Sequence, residues 1–173
     1  MKKLPPLEPA AIEDLRRKLE FLDDLIKIGE EPYEIENEVN SCAHMASVWF
    51  FGWLVNKGFD QPSQVLADLA RDFVTFVYIY DDVPRPRSRS LATISKNRLA
   101  EFVAFVEFAV TDEEWKNKHN PFDGLILFYE FLDEVVGYVG ADAPRRKRAL
   151  EAIRRSSNKR PCSTPQPGYE LTQ

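Results

Sequence analysis

Glycine is scarce in this sequence, seven in 173 residues, and there are only two each of cysteine, methionine and histidine. So little glycine disfavours a turn-rich sheet protein and suits helices. Cys42 and Cys162 do not make a disulfide framework, since the second lies among Pro, Ser, Thr and Gln, and a reducing, cytoplasmic compartment is the expectation. The stretch Met45 to Val55 is apolar but well short of the roughly 20 residues that cross a bilayer, and no apolar run follows the opening lysines as in a secretory signal. His44 and His119 fall on different predicted elements with no second ligand at metal spacing, so each is read as structural. The chain has no glycine-rich phosphate loop, nucleophile elbow or zinc-type Cys/His grouping, which leaves kinase and classical hydrolase readings without support. A net charge of -5 disfavours a general nucleic-acid binder.

What is present is helical periodicity. Ile12, Leu15, Leu19, Leu22 and Ile26 recur at three- and four-residue spacing between charged residues, and Gly29 closes this first helix. A second helix spans Tyr33 to Lys57. Its first half is acidic and its second half is apolar nearly all round, so Trp49, Phe50 and Trp53 are read as core. Pro62 and Ser63 start a third helix, and Pro84 and Pro86 lie beyond its end. A fourth is expected from about Leu91 to Val110, a short turn around Trp115, a fifth from Asn120-Pro121 to Gly140 and a sixth from Arg145 to about Ser157. No alternating strand pattern of useful length occurs. The expected architecture is all-α: one helical domain over 1–158, a bundle of about six helices, followed by a disordered Pro-, Ser- and Thr-rich tail over 159–173.

The third helix reads to its end in two adjacent acids, Asp81 and Asp82. A helix carries about half a negative charge at its carboxyl end, so an acid there costs about 0.3–1 kcal/mol and a cation nearby is expected. A hard divalent ion such as Mg²⁺ is one candidate, because it is held by one or two carboxylates with water and phosphate. A solvated cap and turn is the other reading of the pair. By helical phase Asp81 shares a face with Val74 and Val77, and Asp82 with Thr75 and Tyr78, beside an aromatic wall of Phe73, Phe76, Tyr78 and Tyr80.

The run ADLARDFVTFVYIYDDV resembles the metal-binding helix of class I terpene synthases, particularly the fungal trichodiene-synthase-like group. That resemblance implies an α-helical bundle around an apolar pocket, with Mg²⁺ held by aspartates and binding a prenyl diphosphate for ionisation. Asp81 then resembles the first metal-ligating aspartate and Asp82 its neighbour, while Phe73, Val77, Tyr78 and Arg85 are the candidate substrate contacts. The sequence departs from the family pattern at Arg85, where a further acid would stand, and it has no second Asn/Ser/Glu metal motif or terminal Arg-Tyr pair. The resemblance covers about 20 residues and fits an amino-terminal part of such enzymes.

A basic constellation, Arg145 to Arg148 with Arg154, Arg155, Lys159 and Arg160, lies on and after the last helix. It reads as a solvated helical face, with a phosphate contact as the alternative. Residues 1–40 carry eleven acids against six Lys/Arg, and residues 141–173 carry eight Lys/Arg against three acids. This segregation supports a rival reading, a non-enzymatic helical interaction protein with a partner or self-association through opposite charges.

Overall fold

A computed structural model describes residues 8–58, 63–79, 90–109, 121–138 and 143–159. They form six helices: α1 (Pro9–Lys27), α2 (Pro32–Asn56), α3 (Ser63–Tyr78), α4 (Lys96–Ala109), α5 (Pro121–Phe131) and α6 (Ala143–Lys159). A π-helical turn, Leu132–Val136, prolongs α5. The chain is all-α, and none of the helices is long and apolar enough, among the described residues, to cross a membrane.

Each helix buries the stripe its spacing dictates. Leu15, Leu19, Leu22 and Ile26 of α1 are all buried, and Gly29 follows at φ 90°, a left-handed turn that an L side chain would strain. In α2 the buried residues Ile35, Val39, Cys42, Ala46, Phe50 and Leu54 form one seam, while Trp49 and Trp53 are half-buried. The second half of α2 is therefore less enclosed than its composition suggests: Val48 remains 43% exposed. Desolvation pushes the Cys42 thiol up to about 12, leaving it an inert core group.

The helix α3 packs most extensively on α2 and also meets α5. Rings fill the contacts among α2, α3 and α5 and the contact of α3 with α4. Phe50 lies 5.2 Å from Phe128 and 5.5 Å from Phe131, and Phe73 lies 5.0 Å from Phe102, distances at which aromatic pairs add to simple burial. Gly124 of α5 permits the close approach to α3, since a Cβ there would come within 2.6 Å of a Leu69 methyl.

Four helices differ from expectation at their boundaries. Helical backbone in α3 stops at Tyr78, with Ile79 in a turn, and does not carry through to the acidic pair within the described chain. The fourth helix begins at Lys96 instead of Leu91. Ser90 folds residues 90–93 into a tight turn through Ala92 N–H to its Oγ at 3.1 Å, and Ser95 Oγ then accepts the Arg98 N–H at 3.1 Å as a helix cap. The fifth ends at the π turn and Gly137, φ 74°, before Gly140, and Tyr138 N–H returns to Leu132 O at 3.0 Å. The sixth is longer than expected, from Ala143 to Lys159. The expected turn around Trp115 and the tail from residue 160 lie outside the described residues.

Candidate functional site

Four side chains from distant parts of the chain meet at the end of α3. Tyr78, the last residue of that helix, is fully buried and donates its hydroxyl to Asp23 Oδ1 of α1 at 2.8 Å. Tyr138, just past the π turn, donates to Asp23 Oδ2. Ser90, where the described chain resumes after α3, has its Oγ 3.2 Å from the Tyr138 hydroxyl. Leu91 N–H donates to the Tyr78 hydroxyl at 3.2 Å, and Tyr129 of α5 donates to Leu91 O at 2.9 Å.

Proton accounting gives this network a direction. The two tyrosine protons go to Asp23, so the Ser90 hydroxyl is the donor to Tyr138 and its oxygen accepts from Ala92. Each hydroxyl donates once, and the chain of donors ends on a carboxylate, the arrangement that favours an ionised acceptor. Burial works against it. Desolvation raises the Asp23 pKa, opposed by the hydrogen bonds from Tyr138 and Tyr78 and by the charge of Lys27. Burial, reinforced by the Asp23 charge, pushes both Tyr78 and Tyr138 far up, so both remain protonated donors.

A second buried group, Arg98 of α4, approaches the same helix end from another side. Its Nη2 donates to Phe76 O at 3.3 Å, its guanidinium carbon stands 4.2 Å from the Phe76 ring centroid, and Nη1 reaches Glu101 at 3.1 Å. A cation on the last carbonyls of a helix offsets the terminal dipole. Arg98 thus brings a cation to the carboxyl end of α3.

Of the residues expected at a site, Phe73, Val77 and Tyr78 are fully buried on the inward face of α3. Phe73 packs on Phe102, Phe128 and Tyr129, and Tyr78 belongs to the polar cluster. Asp81, Asp82 and Arg85 lie outside the described residues. Among the described residues no three His, Cys, Asp or Glu side chains are grouped to hold a metal ion. An open groove of about 290 Å³ lies elsewhere, between α1 and α2, lined by Lys18, Phe21, Leu22, Asn37, Glu38 and Ser41. The basic segment is not a uniform solvated face: Arg145, Arg148 and Arg155 are exposed, Lys147 pairs with Glu130 at 3.5 Å, and Arg146 is buried.

No family model matches the chain, and no curated protein or solved structure is similar to it.

Asp23, Ser90, Tyr138 and Arg98 do not stand out in the sequence. Asp23 follows Leu19 by four residues, which places it on the apolar face of α1, and that is the one signal that could have found it. Tyr138 has only a neighbouring glycine to mark it, and the two tyrosines lie 55 and 115 residues from Asp23.

Proposed function

We propose that the chain is a class I terpene-synthase-like protein that binds a prenyl diphosphate through Mg²⁺, with Asp81 as principal ligand and Asp82 supporting it. The observation that carries this reading is the orientation of α3: Val74 and Val77 are both fully buried in an all-helical bundle whose interior is aromatic. Asp81 and Asp82 follow this inward-facing stretch in the chain, Asp81 two residues beyond the last described position. The donor chemistry also fits, since carboxylate oxygens are hard ligands and Mg²⁺ keeps open positions for water and phosphate. Held there, the ion supplies a Lewis acid to the diphosphate oxygens.

Phe73, Val77 and Tyr78 bear on affinity in a different way from a preformed pocket wall. With all three side chains buried and Phe73 in ring contact with Phe128 of α5, a prenyl chain contacts them only when α3 parts from α5, so most of the affinity comes from the metal and diphosphate. Binding is the reading's claim; turnover needs the second ligand set that this sequence lacks. Calorimetric titration of the full chain with a farnesyl diphosphate analogue, with and without Mg²⁺, tests it. Metal-dependent binding that disappears in Asp81→Ala is the expected result, and binding indifferent to Mg²⁺ or to that substitution overturns it.

The charge distribution favours a second reading, a non-enzymatic interaction protein. Arg145, Arg148 and Arg155 are exposed on α6, the first turns of α2 expose Glu34, Glu36 and Glu38, and Phe21, Ile28 and Tyr33 are open to solvent along α1 and α2. Self-association that weakens as salt is added would support this reading, and a monomer at every ionic strength would count against it.

A further inference from the structure

We infer that the open groove between α1 and α2 is the docking site for a basic amphipathic helix of a partner protein, which lays its apolar face in the groove and its Lys or Arg residues against the acidic rim. The inference gives a partner to the interaction reading above, rests on it, and is independent of the metal-binding one. The helix α2 packs more extensively on α3 than on α1, which leaves the outer seam of the α1–α2 hairpin open as a groove of about 290 Å³. Its floor is the buried Leu22, and Phe21, 51% exposed, stands as one wall. Residues four and seven apart share a helix face, so Leu25 and Ile28 continue the Phe21 wall along α1, while Met45 and Val48 continue from Ser41 along α2. Phe21, Ile28 and Val48 are exposed, so the seam presents apolar surface that no described part of the chain covers.

Charge selects the occupant. Asp14 shares the helix face of Lys18 and Phe21, and Glu34 and Glu38 share that of Ser41, so three acids surround one lysine. The hairpin as a whole, residues 8–58, carries eleven acids against five Lys/Arg. A second copy of the same face would set like charge against like, whereas a cationic helix complements it. The outer face of α6 in a second copy is basic at Arg145, Arg148 and Arg155, but none of its large apolar side chains is exposed to fill the groove. Among the described residues the side chains of Asp14, Lys18, Asn37, Glu38 and Ser41 make no hydrogen bond or ion pair with the rest of the chain, which leaves them to a ligand. From Asp14 to Ile28 the face runs about 21 Å, the length of a helix of about 14 residues, and a helix laid in such a groove is anchored by apolar residues three, four and seven apart.

The test is an anisotropy titration of the full chain into a labelled helical Leu/Lys peptide of about 14 residues, leucines along one face, with neither Mg²⁺ nor diphosphate present. Saturable one-to-one binding that weakens as salt is added is expected, and the same peptide with Glu in place of Lys should not bind. Phe21→Ser should weaken binding about tenfold and Glu38→Lys about fivefold. Glu20→Lys, at an exposed position on the far side of α1, changes the net charge equally and should leave the affinity within about twofold. Should Phe21→Ser fail to fold, Ser41→Trp fills the groove from an exposed position and should weaken binding as strongly. Equal weakening by Glu38→Lys and Glu20→Lys, or binding indifferent to Phe21→Ser and Ser41→Trp, overturns the groove while the interaction reading stands on the binding itself. No saturable binding of the cationic peptide overturns the proposal, and sedimentation of the chain alone then judges the interaction reading separately. Salt-sensitive dimers keep that reading with a second copy as the partner, and a monomer at every ionic strength removes it.

Discussion

Asp23 is a half-buried carboxylate held between two opposed effects, loss of water and the gain of two charge-assisted hydrogen bonds, and loss of water is the larger. A carboxyl whose folded pKa exceeds its unfolded value takes up a proton more readily in the fold. Its contribution favouring the fold is complete below the ordinary value of 3.8 and is lost as pH rises through the raised one. Asn at this position has no such dependence. The melting temperature of Asp23→Asn minus that of the wild type should therefore rise as pH goes from about 4 to about 7, and a flat or falling difference in paired thermal melts would mean that the hydrogen bonds outweigh desolvation. Arg98 is the residue where the opposite expectation holds. It is 6% exposed, and Arg98→Leu removes its hydrogen bond to Phe76 O and the cation from the Phe76 ring. A loss of about 1.5–3 kcal/mol in urea unfolding is expected, the range for a hydrogen bond made by a charged group.

At the scale of the element, the helices whose ends carry local chemistry were readable and the others were not. Gly29 and Gly58 close α1 and α2 at φ 90° and 99°, and the apolar spacing placed the buried faces of α1 and α3. The start of α4 was obscured because Ser90, Leu91 and Ile94 look like a helical opening, while the turn made by Ser90 and the cap made by Ser95 depend on side-chain bonds that spacing does not reveal. The end of α5 was obscured for a related reason: Leu132 to Val136 keep an apolar pattern while the backbone widens into a π turn, and Gly137 rather than Gly140 takes the left-handed position. The tertiary cluster was invisible because its members are related only by the fold. Gly137 is the testable hinge of this arrangement. A Cβ there meets nothing nearer than 3.9 Å, so the cost of Gly137→Ala is conformational, about 1 kcal/mol from φ 74°, and it should also disturb Tyr138 one residue on. Chemical denaturation measures the first effect and Leu91 amide exchange the second.

For the whole molecule the interior decides what a ligand can do. Phe50, Phe73, Phe102, Phe128, Tyr129 and Phe131 are all fully buried and in ring contact, so Phe73→Ala should remove about 3–5 kcal/mol, as expected for an aromatic deleted from a close-packed core. A core packed in this way limits how far a prenyl chain penetrates without separating α3 from α5, whereas the proposed metal ligands Asp81 and Asp82 come after the end of α3 in the chain. The two parts of the proposed ligand should then contribute unequally. A ligand bound only to the folded state adds about 2.7 kcal/mol at a hundredfold excess over its dissociation constant, which for a domain of this length is a rise of roughly 5–10 °C in melting temperature. Mg²⁺ with a diphosphate should produce most of that rise, and lengthening the attached prenyl chain should add little, while neither Mg²⁺ nor the organic ligand alone should move the transition. A shift that grows steeply with chain length would show instead that the aromatic interior opens to the hydrocarbon, and that Phe73 and Val77 touch substrate directly.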